Sequence, residues 1–251
     1  MIKTEDIKKI VLLTLITGLI INIKKPLSLL IIALSGKGKT EITKAYHGKT
    51  ILVMTDVSYI GLLKEVVKNT KLQHLIIMDF LKVTKKKKST TDNIIGILNS
   101  FMEEGVGKIH LYNEAYDLKG KNLGVITSTT KSSLIRNKSD WEAIGFLQRF
   151  MICSYDYTKE TIDEILNFIH REGEESKKEM ISGRRKTITS TPELNAQLEI
   201  VNEEKDFRLT KQLMMLAKSN AYIRGDDKVT QEDINEIIRL SHYFNFDYKQ
   251  I

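Results

Sequence analysis

Glycine, lysine and threonine stand close together where an apolar run ends, in LSLLIIALSGKGKTEITKAY, residues 27–46. Gly36 and Gly38 let the backbone turn tightly and aim successive N–H groups inward, and the first turn of a following helix adds its positive dipole end. Such a concavity binds polyphosphate. Ser35, Gly36, Lys37, Gly38, Lys39, Thr40 and Glu41 are the candidate cradle for ATP, in which Lys39 reaches the β- and γ-phosphates and Thr40 places its hydroxyl on Mg²⁺. The full pattern G-x-x-x-x-G-K-[ST] begins with glycine, and this chain has Ala33 there. The alternative is an ordinary Gly/Lys loop. Asp79 follows at the tip of LQHLIIMDF, residues 72–80. A carboxylate at the end of a buried strand is costly unless something polar uses it. Either Mg²⁺ does so through a water beside Thr40, or Asp79 caps the following turn.

These groups need a strand, a helix and neighbouring strands to hold them. Leu29 to Ile32 form a continuous apolar run, as in a strand covered on both faces, and residues 39–46 read as the helix after the cradle, ended by Gly48. KTILVMTDV (49–57) reads as a second strand. SYIGLLKEVVKN (58–69) reads as a helix with Ile60, Leu62, Leu63, Val66 and Val67 on one face. KVTKKKKSTTDN (82–93) reads as a basic loop before a helix capped by Thr91 and Asp92 that runs to about Glu104. Residues 107–130 read as two extended runs around a polar turn, and 136–155 as a short helix near Trp141 and Ile144, with Arg149 leading into an apolar strand. This alternation predicts a mostly parallel sheet covered by helices. Beyond 159 the strands stop: a helix over 159–171, a charged stretch over 172–192, a short helix opened by Pro192, a helix between Asp206 and Gly225, and a last helix capped by Thr230. The expected organisation is an N-terminal helix (1–26), an α/β domain (27–156) and an all-α domain (157–251).

Composition sets bounds. With 251 residues, 41% of them hydrophobic, the chain can bury a sizeable core, and its net charge of +7 favours anionic partners, nucleic acid among them. A single cysteine, Cys153, excludes an internal disulfide or a Cys-cluster zinc site and makes a reducing, cytoplasmic setting the default. The apolar run 10–23 is too short to span a bilayer and is fenced by Lys8, Lys9, Lys24 and Lys25, so it reads as a buried helix with Thr4, Glu5 and Asp6 at its start.

The order of these elements resembles an AAA+ ATPase, and within that class most resembles the ATPase module of MCM-type replicative helicases. The resemblance covers about residues 27–243. It rests on GKGKT, on IIMDF as the Walker B strand, on FMEEG before a hairpin-sized insertion, and on ITSTT, GFLQRF and the pair of helices through RLTKQLMMLAKSNAYIRGDDKVTQEDINEIIRL. It implies a P-loop α/β fold followed by a small all-α lid, with ATP and Mg²⁺ bound at Lys39, Thr40 and Asp79. It implies that Thr129, or its neighbour Ser128 or Thr127, is the polar residue that orients water, that Arg149 is supplied to a neighbouring subunit's nucleotide in a homo-oligomeric ring, and that Arg208 is the lid arginine. Without it, Arg149 reads as a surface ion pair and Arg208 as an ordinary helix-start residue. No counterpart of the helicases' N-terminal DNA-binding domain is visible. The family places a glutamate after the Walker B aspartate as general base, and this chain has Phe80, which accepts no proton. Glu103, Glu104 and Asp56 are not convincing substitutes.

The leading expectation is therefore an oligomeric ATPase acting on DNA, as helicase, loader or translocase, with Lys85, Lys86, Lys87 and Lys88 in one loop and Lys119 and Lys121 in a hairpin turn as phosphate contacts. Solvated surface lysines are the alternative. A nucleotide-dependent switch or assembly protein with little hydrolysis is the second expectation, and a kinase-like P-loop enzyme with an enclosed substrate pocket the third. No membrane attachment is expected.

Overall fold

The computed structural model describes residues 4–103, 105–111, 114–170, 178–201 and 206–244. Glu104, residues 112–113 and residues 171–177 of the charged stretch lie outside it. The elements run α1 (Thr4–Ile16), β1 (Leu29–Ile32), α2 (Lys39–Lys44), β2 (Tyr46–His47), β3 (Ile51–Met54), α3 (Tyr59–Lys68), β4 (His74–Ile77), α4 (Leu81–Thr84) and α5 (Lys88–Met102). Then come β5 (Val106–Leu111), β6 (Glu114–Lys121), β7 (Gly124–Thr129), α6 (Lys131–Ala143), β8 (Met151–Ser154), α7 (Lys159–His170), β9 (Glu179–Met180), α8 (Pro192–Gln197), α9 (Phe207–Arg224) and α10 (Gln231–Leu240).

A five-stranded sheet of order β3-β4-β7-β1-β8 forms the centre, and all its pairings are parallel. The strands are apolar on both faces because each face has its own core. Alternate residues feed different clusters: Leu29, Ile31, Ile126, Met151 and Cys153 pack with α1, α9 and α10, whereas Leu30, Ile32, Val125 and Ile152 pack with α3, α5 and α6. The C-terminal helices thus share a core with α1 and the sheet. Asp6 of α1 receives Arg239 Nη1 and Nη2 of α10 at 3.0 and 2.8 Å, fastening the two helices. Among the described residues no helix is long and apolar enough to cross a membrane.

Several boundaries follow from local chemistry. Ser58 accepts from Gly61 N to start α3, Asp206 accepts from Arg208 N at 2.7 Å to start α9, Gly225 ends α9 in the left-handed region, and Thr230 and Asp233 form a capping box on α10. Other boundaries differ from the sequence reading. The helix after the cradle stops at Lys44 because Tyr46 and His47 pair with Glu179 and Met180. Ile60 and Val67 are exposed on α3, so Leu62, Leu63 and Val66 are its buried stripe. The basic run at 82–93 is partly helical: α4 ends at Thr84, Lys85 to Lys87 form the connection, and α5 starts at Lys88, so Thr91 and Asp92 lie inside that helix and do not cap it, with Val83 buried beneath.

One buried group makes stability depend on pH. His74 is fully buried with Nε2 3.2 Å from Leu27 O, and burial pushes its pKa down from 6.5 to about 4. The folded state therefore takes up this proton later than the unfolded chain does. The contribution of the neutral ring is present above pH 6.5 and is lost as pH falls towards 4. Chemical denaturation across that window is expected to show a loss on the order of 3 kcal/mol that is absent in a His74→Gln variant; identical slopes in the two proteins would contradict the assignment.

Candidate functional site

The cradle lies at the C-terminal end of β1, at the centre of the sheet. Gly36 and Gly38 have φ of +77° and +73°, the left-handed region where side chains are strained, and α2 starts directly after Gly38. The N–H groups in the first turn of a helix have no intrahelical acceptor, so those of α2 are available to a ligand. Ala33 is compatible with this geometry: it is buried beneath the loop and does not adopt positive φ, so glycine's freedom is not needed there. Lys39 Nζ donates to Ala33 O at 3.0 Å and to Leu34 O at 2.6 Å, folding back over its own loop. Burial lowers the Lys39 pKa, and the nearby Asp79 carboxylate partly opposes this.

Asp79 and Thr129 stand on the adjacent strand ends. Ala33 N donates to Thr129 O, and Phe80 N donates to Ser128 O, so the ends of β1, β7 and β4 are hydrogen-bonded in succession. Asp79 Oδ1 accepts from Leu81 N at 3.0 Å, the turn-capping role, which leaves Oδ2 for a cation or its water. The three hydroxyls of ITSTT separate cleanly. Thr127 Oγ1 donates to Ile77 O at 2.7 Å and Ser128 Oγ to Met78 O at 2.8 Å, stapling β7 to β4, whereas Thr129 Oγ1 is buried without a partner among the described residues. A buried hydroxyl without a protein partner can be satisfied by a water or by a ligand group.

Phe80 points elsewhere. It is fully buried and stacks on Phe146 at 5.3 Å, with Trp141 edge-on at 5.4 Å. The position that would carry a general base therefore faces the core and not the cradle. Asp56 is held 2.7 Å from Lys86 Nζ beside the edge strand β3, and Glu103 lies at the far end of the sheet.

No family model matches the chain, and no curated protein does.

The remaining sequence-derived candidates are dispersed. Arg149 precedes β8 and so lies at the N-terminal end of the sheet; the strand's length puts it about 16 Å from the cradle edge. Arg208 Nη1 donates to Gln148 O, so Arg208 lies beside Arg149 and away from its own chain's cradle. Lys85, Lys87 and Lys88 are exposed at the ends of α4 and α5, at the cradle end of the sheet, while Lys86 is engaged by Asp56. Lys119 and Lys121 correct the hairpin reading: both lie within β6, not in the hairpin turn, and Lys121 Nζ donates to Asn69 O at 2.5 Å. Asn69 precedes β4, so this lysine pair is at the opposite end of the sheet from Lys85–Lys88.

The segment after β8 went unnoticed in the sequence. Tyr155 Oη donates to Lys37 O at 2.7 Å, Asp156 is 3.5 Å from Lys37 Nζ, and Lys37 Nζ lies over the Tyr157 ring. These residues hold the cradle from its β8 side. Beside them a cleft of about 410 Å³ is lined by Ala33, Lys131, Tyr155, Asp156, His242 and Tyr243. The available signal was YDY directly following a strand that neighbours β1. Among the described residues, no group of three or more His, Cys, Asp or Glu side chains is placed to hold a metal by itself. Mg²⁺ held by Thr40, water from Asp79 and substrate phosphates requires no such group.

Proposed function

We propose that the chain is an AAA+-type protein that binds Mg-ATP at residues 35–41, self-associates through its nucleotide, and acts on DNA. The carrying observation is the meeting of Lys39, Asp79 and the unpartnered Thr129 hydroxyl at one edge of a parallel sheet, around a loop with two glycines at positive φ. The strand order supports the reading, because β7 with Thr129 lies between the cradle strand and the Asp79 strand. When bound, Mg-ATP supplies a polarised terminal phosphate. In this reading Lys39 would neutralise it, Thr40 and Asp79 would hold the cation, and Thr129 would orient a water. Arg149 and Arg208, too far to serve their own cradle, fit delivery to a second copy.

A second reading, a nucleotide switch with little turnover, is favoured by the burial of Phe80 in an aromatic cluster. The two readings separate in one experiment: phosphate release measured with Mg-ATP alone, with single-stranded DNA and with duplex DNA. The motor reading predicts DNA-stimulated turnover and salt-sensitive DNA binding that weakens when Lys85, Lys87 and Lys88 become alanine. Nucleotide-dependent oligomers with negligible release in all three conditions support the switch. Absence of nucleotide binding refutes both.

A further inference from the structure

At the end of the sheet opposite the cradle, three cations converge on one carboxylate. Glu103 Oε1 is 3.5 Å from Lys25 Nζ, and its Oε2 is 3.9 Å from Arg149 Nε and 4.0 Å from Arg208 Nη2. The two guanidiniums are seated on main chain. Arg149 Nη1 donates to Gly145 O and, at 3.4 Å, to Ile144 O; Arg208 Nη1 donates to Gln148 O. The Arg149 seat needs glycine: Gly145 has φ of +66°, and a Cβ there would stand 2.7 Å from Arg149 Nη1. This seating leaves Arg149 Nε and Arg208 Nη2 turned towards Glu103.

The carboxylate fills that space loosely. Charge-assisted N–H···O contacts close to about 2.7–2.9 Å when well made, whereas both arginine contacts here are near 4 Å, and Arg149 Nε is buried with no hydrogen-bond partner among the described residues. A larger tetrahedral oxyanion would reach these donors where one carboxylate does not. Apolar surface flanks the cluster, with Ile144 48% and Phe207 91% exposed.

We propose that Glu103 is a resident counter-anion occupying the place of a phosphoanion, and that the terminal phosphate of a nucleotide carried by a second copy of this chain displaces it. Glu103 thereby sets the protein concentration at which nucleotide drives assembly, and Lys25 is a third cation of the same receiving site. This rests on the nucleotide-dependent self-association proposed above. Glu103 is a positioning residue: it touches the arginines and not the nucleotide.

The test is sedimentation velocity with and without Mg-AMP-PNP, on wild type, Glu103→Gln and Lys25→Ala, together with nucleotide affinity measured at a protein concentration below assembly. Glu103 is 39% exposed, so the isosteric change leaves the fold intact. Glu103→Gln is expected to assemble with nucleotide at about tenfold lower protein concentration, with affinity for nucleotide in the dilute protein unchanged and no assembly in its absence. Lys25→Ala is expected to need a higher concentration than wild type. Intact nucleotide binding with an unshifted or raised midpoint in Glu103→Gln overturns the inference alone. Failure of wild type to bind Mg-AMP-PNP overturns the cradle reading and this inference with it.

Discussion

Replacing Lys39 with alanine is expected to lower affinity for Mg-ATP by about ten- to a hundredfold, since a charge-assisted contact to phosphate contributes about 1.5–3 kcal/mol and each 1.4 kcal/mol is tenfold. The same change is expected to leave the melting temperature within about 2 °C of wild type. Among the described residues Lys39 Nζ bonds the carbonyls of Ala33 and Leu34 alone, at the partly exposed mouth of the loop, and its burial already disfavours the charged form. The charge is thus held at a cost that bound phosphate would offset. Fluorescent-nucleotide titration and a thermal melt check the two halves separately. Unchanged affinity would place the nucleotide elsewhere, and a large fall in melting temperature would make Lys39 a structural residue.

Placing a glutamate at position 80 is expected to unfold the protein rather than create a hydrolase. Phe80 is fully buried and shares ring contacts with Trp141 and Phe146, which in turn packs on Phe150 at 5.0 Å. Removing such a ring costs about 3–5 kcal/mol, and burying an unpaired carboxylate in its place adds several more. Since whole domains are stable by about 5–15 kcal/mol, a Phe80→Glu melting temperature lower by at least about 10 °C follows. Circular dichroism melts and phosphate release read the result. A stable Phe80→Glu protein with raised turnover would mean that this side chain can reach the cradle, contrary to the geometry described.

The parts of the site legible in the sequence were those fixed by local chemistry. Glycines at positive φ, a lysine and threonine at a helix start, and caps at Asp206, Gly225 and Thr230 act within a few residues, so short patterns reveal them. The parts that were not legible depend on distant segments. Tyr46 leaves the helix because residues 179–180 pair with it, and Ile60 and Val67 stay exposed although they extend the α3 stripe. The lysine run reads as a loop by charge, and Lys85 to Lys87 do form the connection between α4 and α5, whereas the flanking residues are helical because Val83 on one side and Ile94 and Ile95 on the other anchor them in the core. Lys119 and Lys121 read as turn residues through Gly120, but the antiparallel register pairs Leu111 with Glu114 and Val106 with Lys121, which puts both lysines within β6 at the end where it meets the start of β5. Which of Thr127, Ser128 and Thr129 keeps a free hydroxyl was decided by the carbonyls of the neighbouring β4, which no spacing rule reports.

The central claim is that Lys39, Asp79 and Thr129 surround one terminal phosphate. A crystal structure of the protein grown with Mg-AMP-PNP tests it most directly. The account predicts the γ-phosphate within hydrogen-bond distance of Lys39 Nζ, which will have left the Ala33 and Leu34 carbonyls, with Mg²⁺ on the Thr40 hydroxyl and a water on Thr129 Oγ1. Nucleotide bound away from residues 35–41, or Lys39 still folded onto its own loop beside a bound nucleotide, would contradict it.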